Sequence, residues 1–156
     1  MLKFIAAIDN KRGLATDEGI PWKLSKDLQY YREKTEHHDI LMGFGTYIEF
    51  EKPMPNRRNF VVTSKDEPLK PGFIAIKDAQ EFISGSDKED KWIIGGAKLF
   101  ESTIAYADQL YITQILADFH CTKFFPEYKE DFYLAERSEL LVENDLNFYF
   151  EVWNHK

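Results

Sequence analysis

Lys91-Trp92-Ile93-Ile94-Gly95-Gly96-Ala97-Lys98-Leu99-Phe100-Glu101-Ser102, "KWIIGGAKLFES", joins a short apolar run to a helical pattern through two adjacent glycines. An apolar run with no polar alternation suits a strand covered on both faces, and glycine lets the backbone turn tightly into the helix. The same order recurs over residues 39–50, "DILMGFGTYIEF", with Gly43-Phe44-Gly45 at the turn and Thr46 near the helix start. Further apolar runs lie at 3–9 ("KFIAAID"), 58–64 ("RNFVVTS"), 72–76 ("GFIAI") and 109–116 ("QLYITQIL"). Helical patterns fall at 25–34, 46–51, 78–84 and 97–105. Strand alternating with helix predicts an α/β fold around a mixed, mostly parallel sheet of about eight strands, flanked by about four helices. The C-terminal part differs. "FYFEVW" (148–153) alternates and follows the turn-like "ENDLN" (143–147), which predicts an antiparallel hairpin with "DFYLAERSELLV" (131–142). With no repeat, low-complexity tract or linker, and with Pro53, Pro55, Pro68 and Pro71 only punctuating loops, residues 1–156 are expected to form one domain.

The 156 residues suffice for a real core, and 44% hydrophobic with 15% aromatic content excludes a disordered chain. No apolar run approaches the roughly 18 residues of a membrane span, and "MLKFIAAIDN" lacks a signal-peptide pattern. The lone cysteine, Cys121, has no internal disulfide partner, so a reducing cytoplasm is the expected home. Net charge is −7 with no Lys/Arg-rich run, which argues against a nucleic-acid surface. A cytoplasmic monomer acting on a small molecule is the expectation.

The stretch 19–31, "GIPWKLSKDLQYY", carries the sharpest chemical signal. Pro21 and Ser25 read as a turn into a helix, with Ser25 as N-cap. Leu24, Asp27, Leu28 and Tyr31 then share one face, which should be buried, and a carboxylate sits in that stripe. Asp27 has two readings. It is a first-turn acid favoured by the helix amides, or it is a desolvated carboxyl raised in pKa and suited to proton donation or to anchoring a cationic heterocycle. The two glycine turns are phosphate-ready helix starts, although neither is a G-x-G-x-x-G or a Walker A loop. Arg57 and Arg58 precede a strand, and Thr63, Ser64 and Lys65 follow it. Such a cluster suits a phosphate grip, and two surface arginines beside a solvated loop are the plainer alternative. His37-His38-Asp39 and His120-Cys121 lack metal-ligand spacing, so no metal site is expected. Trp92, Trp153 and the C-terminal aromatics read as core.

In order and spacing, "FIAAID", the Pro-Trp…Asp-Leu element, "MGFGTYIEF", "MPNRRNFVVTS", "WIIGGAKLFE", "LYITQI" and "FFPEY" resemble the dihydrofolate reductase family over essentially the whole chain. The resemblance implies reduction of 7,8-dihydrofolate to 5,6,7,8-tetrahydrofolate, serving one-carbon metabolism. It makes Asp27, Trp22 and Thr113 the catalytic set. Asp27 would bind the 2-amino-pyrimidine edge and promote protonation at N5, Thr113 would bond both acid and substrate, and Trp22 would order a water. Ile5, Ala7, Leu28, Tyr31, Arg32, Phe50, Lys52, Met54 and Ile94 are the implied substrate contacts, with Arg57 gripping the glutamate α-carboxylate. Ala7, Gly13, Leu14, Ala15, Gly19, Ile20, Gly45, Thr46, Thr63, Ser64, Ile94, Gly95, Gly96, Ala97, Lys98, Leu99 and Phe100 are the implied cofactor contacts, with Phe100 beside the nicotinamide and a cis Gly95–Gly96 bond.

Phe44 stands where the family usually has an arginine for the 2′-phosphate of NADPH. NADPH remains the expected cofactor, with Thr63, Ser64 and either Arg58 or Lys65 to compensate, and NADH is the alternative. Ala15 and Ile20 depart from the usual residues of the active-site loop, and Cys121-Thr122 replace a frequent glycine and aspartate in its partner loop. Two other functions stay open at this stage. One is the pyrimidine reductase of riboflavin synthesis on the same fold, and the other is a non-catalytic pterin- or nucleotide-binding module.

Overall fold

A computed structural model describes residues 1–85 and 88–156. In chain order it contains β1 (Leu2–Ile8), β2 (Gly13–Ala15), α1 (Ser25–Thr35), β3 (Asp39–Gly43), α2 (Phe44–Tyr47), β4 (Asn59–Val62) and β5 (Phe73–Ile76). There follow α3 (Ala79–Ile83), β6 (Lys91–Ile93), α4 (Ala97–Thr103), a 3-10 turn (Ile104–Tyr106), β7 (Gln109–Ile115), β8 (Lys123–Phe124), β9 (Phe132–Arg137), β10 (Leu141–Glu143) and β11 (Leu146–His155).

The main sheet runs β10-β11-β7-β1-β6-β3-β4-β5. The strands from β7 through β5 pair in parallel, and β11 runs antiparallel to β7, β9 and β10. Eight positions across the sheet therefore hold nine strands. The ten-residue β11 takes β10 along its start and β9 along its end, both on the edge away from β7. β2 and β8 form a separate two-stranded sheet that sequence patterning does not reveal, because pieces this short show no alternation. The helix expected at 46–51 instead begins at Phe44 and ends at Tyr47, where Ile48 closes the last helical bond onto Phe44 and tighter turn bonds from Glu49 to Thr46 and Phe50 to Tyr47 follow.

The central strands are covered on both faces, as their unbroken apolar runs require. On β1, Leu2, Phe4 and Ile8 join one layer with Phe100, Phe125, Tyr128 and Trp153, while Ile5 faces the other with Ile40, Met42, Val61 and Trp92. Parallel strands bring their carboxyl ends to one side, where open α/β sheets hold ligands. The end of β1 there is fixed by a buried carboxylate. Asp9 Oδ1 accepts the amides of Lys11 (2.9 Å) and Gly13 (2.7 Å), and Oδ2 accepts that of Phe119 (3.0 Å). Burial works against its charge, yet these amides outweigh it and hold the pKa below the usual aspartate value. One side chain thus ties the loop after β1 to the loop after β7.

Gly13 closes this junction. A Cβ there would stand 2.6 Å from Cys121 Cβ and 2.8 Å from Asp9 Oδ1. Gly13→Ala is therefore expected to destabilise the fold by roughly 1–3 kcal/mol through overpacking. Urea unfolding of that variant, and of a second one that adds Cys121→Gly to relieve the clash, measures the loss and its partial recovery.

Candidate active site

Leu24, Asp27, Leu28 and Tyr31 do share a face of α1, but that face borders an open groove and is only partly sealed. Leu24 is buried, Asp27 and Tyr31 are half-buried, and Leu28 is 48% exposed. Ser25 is not the N-cap. The helix starts after Leu24 with no side-chain cap of its own, and Glu143 on β10 binds its first amides from outside. Spacing within 19–31 could not show this, since the capping residue lies 118 positions away.

Thr113, central on β7 and 1% exposed, donates its hydroxyl to Asp27 Oδ1 at 2.6 Å. Around the pair, Trp22 is buried against Phe119, Tyr30 stacks flat on Phe150 with centroids 4.0 Å apart, and Ala7 and Phe150 flank Thr113 in the sheet. Burial raises the pKa of Asp27 above the ordinary value, the Thr113 bond opposes the rise, and the charge of Glu143 adds to it. Of the two sequence readings, the desolvated carboxyl is the one the surroundings match. Tyr31 donates to Met54 Sδ at 3.2 Å, and Ile5, Phe50 and Ile94 belong to the same apolar layer.

Arg57 closes the outer end of the groove. Its Nε donates to the Pro55 carbonyl (2.7 Å) and its Nη1 to Thr35 Oγ1 (2.7 Å), which fixes the guanidinium and leaves Nη2 without a protein partner among the described residues. With Leu28, Gln29 and Arg32 it lines a cavity of about 530 Å³ beside α1. Lys52 lies exposed on the following loop, outside that lining.

The two glycine turns meet. Gly43 N–H donates to the Gly95 carbonyl at 2.8 Å, and the Gly95–Gly96 bond is cis. Gly95 has φ +125°, a region that favours glycine, and the Thr46 hydroxyl lies 3.4–3.7 Å from where Cβ atoms of Gly95 and Gly96 would sit. A Cβ at Gly45 would meet nothing within 4 Å, so its backbone is open to a ligand. Ala97 and Lys98 begin α4 beside this junction, whereas Leu99 and Phe100 turn inward, with Phe100 packing on Phe4 and Phe125 beneath Gly95.

β4 separates what the sequence grouped as one cation cluster. At its start Arg58 forms a two-point pair with Asp39 (2.8 and 2.6 Å), which removes it as a substitute for the arginine missing at Phe44. At its other end Thr63 Oγ1 accepts the Lys65 amide, and the Lys65 ammonium lies over the Phe44 ring, 4.2 Å from its centroid. Leu14 and Ala15 lie on β2, Gly19 (φ +111°) turns the chain, and Ile20 is 63% exposed. Thr122 donates its hydroxyl to Asp17 at 2.9 Å and its amide to the Ala15 carbonyl, so the acid of this contact lies on the loop after β2 and the hydroxyl on the loop before β8.

The dihydrofolate reductase family model matches residues 1–155. The chain belongs to the dihydrofolate reductase family. Dihydrofolate reductase from Bacillus subtilis is 36% identical over 152 residues, covering 96% of this chain and 89% of the relative. A structure described as dihydrofolate reductase from Enterococcus faecalis complexed with NADP(H) and RAB-propyl superposes with a TM-score of 0.91 at 27% identity, covering 100% of this chain and 96% of that one. Segregation and condensation protein A from Mycoplasmoides gallisepticum is 32% identical over the full chain, which spans 26% of that longer protein. Within the family frame, Glu143 and Asn144 are the residues that sequence reasoning passed over. Their signal was present only as an acid opening the turn-like "ENDLN".

A carboxyl with a raised pKa is held in its charged form at a cost to folding. The contribution of Asp27 to folding is fully present below its unfolded pKa and is lost as pH rises from there through the raised folded value. Asp27→Asn removes the buried charge and keeps an acceptor for Thr113. Its melting temperature at neutral pH should therefore rise by about 2–4 °C, as is common where a strained functional group is removed. Thermal unfolding of the two proteins at neutral pH and near pH 4 measures the gain, which should shrink in acid.

Proposed function

We propose that the protein reduces 7,8-dihydrofolate to 5,6,7,8-tetrahydrofolate with NADPH as reductant. The observation that carries this reading is the Asp27–Thr113 pair, a desolvated carboxylate oriented by a buried hydroxyl at 2.6 Å. Asp27 accepts the 2-amino-pyrimidine edge of the substrate and promotes protonation at N5, while Thr113 fixes the carboxylate orientation. Trp22, Ile5 and Ala7 keep this end of the groove apolar, which strengthens the polar contacts made there. Arg57, already held by Pro55 and Thr35, presents its remaining donors to the glutamate α-carboxylate.

The abutting glycine turns fit a dinucleotide, since Gly45, Gly95 and Gly96 leave backbone where side chains would intrude, at the starts of two helices. The bound dinucleotide supplies the hydride that ends at C6, so dihydrofolate, NADPH and one proton give tetrahydrofolate and NADP⁺. For the choice of NADPH over NADH, Lys65 replaces the missing arginine. The Phe44 ring holds its ammonium by a cation–π contact, and the Thr63 hydroxyl accepts the Lys65 backbone amide, with Ser64 between them in the chain.

Steady-state loss of nicotinamide absorbance with dihydrofolate tests the reaction, run with each dinucleotide in turn. Asp27→Asn should keep cofactor binding, lose roughly 100-fold or more of its turnover near neutral pH, and recover in part in acid. Unchanged turnover in that variant removes Asp27 from its role. Lys65→Ala should lower kcat/KM for NADPH by about ten-fold, the usual scale of a lost charge-assisted contact, and leave that for NADH nearly unchanged. Equal losses with both would mean that Lys65 does not face the 2′-phosphate.

A further inference from the structure

Helix α1 takes its cap from a distant strand. Glu143 Oε2 accepts the Ser25 amide at 2.8 Å and the Ser25 hydroxyl at 2.7 Å, and Oε1 accepts the Lys26 amide at 3.0 Å. The residues on either side of Glu143 complete a clamp. The Val142 carbonyl accepts from Lys26 Nζ at 3.3 Å, and Asn144 Nδ2 donates to the Lys23 carbonyl at 2.6 Å. Asp27 is the next residue in the chain, so this clamp sets the turn from which its carboxylate reaches Thr113.

We propose that Glu143 is a positioning residue for Asp27, fixing the first turn of α1 and seating a negative charge on the positive end of that helix, one residue before the Asp27 carboxyl. The proposal rests on the role assigned above to Asp27. A helix start acts as about half a positive charge and by itself favours an ionised acid in the first turn. A full negative charge seated on those amides reverses that influence. Capping alone would not need the charge, because a neutral side-chain oxygen satisfies helix amides as well, and the Ser25 hydroxyl, inside the helix after Leu24, adds a third donor to Glu143.

The other groups around Asp27 do not replace Glu143. On α1, Tyr30 and Tyr31 feel the Asp27 charge, and burial pushes both phenols far above the range in which they would ionise. Tyr111 on β7 and Glu136 on β9 act on Tyr30, and Arg32 and Arg57 act on Tyr31. Lys26 lies beside Glu143 and helps hold it ionised. β7 adds the Thr113 hydroxyl, while Ile5 and Ala7 of β1 and Phe150 of β11 add apolar side chains. Glu143 is the carboxylate whose charge acts on Asp27 directly, in the direction that raises its pKa.

The test is a carbon-13 titration of the aspartate carboxyls in the substrate-free protein, with Asp27 assigned by its loss in Asp27→Asn. Glu143→Gln keeps an acceptor for the helix amides and removes the charge, so the Asp27 midpoint should fall by about 0.3–0.5 pH unit. Glu143→Asp keeps the charge on a shorter stem and should leave the midpoint near the parent value. In Glu143→Gln the pH profile of single-turnover hydride transfer should move the same way. A midpoint unmoved in Glu143→Gln, or lowered equally in both variants, overturns the proposal. The titration needs no substrate, so its outcome is independent of the assay of dihydrofolate turnover, whose failure would overturn the functional reading instead.

Discussion

The hydrogen bond from Thr113 to Asp27 joins residues 86 positions apart, and most of the architecture bears on making it possible. Thr113 lies near the middle of β7, between β1 and β11, where a hydroxyl has almost no exposure and a fixed direction. Asp27 comes from the first turn of α1, the part of a helix most prone to fray. Glu143, Asn144 and the apolar packing of Trp22 and Leu24 hold that turn in place. A carboxylate this desolvated cannot be oriented by its own helix alone, so the strands on the C-terminal side of the sheet supply its constraints.

Two aspartates show how far surroundings decide chemistry. Asp9 is the less exposed of the two, yet three backbone amides keep its pKa low, and it acts as a permanent anion that pins loops. Asp27 has one neutral donor and a neighbouring negative charge, and its pKa rises. Counting donors to the ionised form against burial accounts for both signs. The same accounting covers Cys121, whose thiol is pushed up to about 11 by burial and by Asp9, so it packs as a small neutral side chain against Gly13.

Much of this was legible in the chain. Unbroken apolar runs separated by helical patterns pointed to the parallel sheet, and "FYFEVW" to the antiparallel strand at the C-terminus. The two glycine turns were legible one by one, but their opposition follows from β3 and β6 being neighbours, which no local pattern shows. Asp27 stood out because a carboxylate interrupted an apolar stripe. Other features depended on contacts that no local window contains. The cap from Glu143 crosses 118 residues, the separation of Arg58 from Lys65 depends on which side of the sheet each end of β4 occupies, and β2 with β8 is too short to leave a pattern. The end of α2 at Tyr47 likewise reflects packing, since Tyr47 is buried against Phe73 while Ile48 is left in solvent.

The division of one sheet position between β9 and β10 has a consequence for how copies of this chain meet. A strand edge invites pairing when it offers a long, flat row of free amides and carbonyls. Here that border is broken. β10 supplies three residues, β9 six, and between them the chain leaves the ladder around Ser138, whose amide donates to the Phe150 carbonyl and whose hydroxyl accepts the Phe150 amide. A shift of register between Val152 and Trp153 bends the line again, and the opposite border, β5, is only four residues long. Neither side presents a template that a second sheet could extend. An enzyme-sized sheet is in this way made unattractive for fibre-like stacking by interruption of its borders.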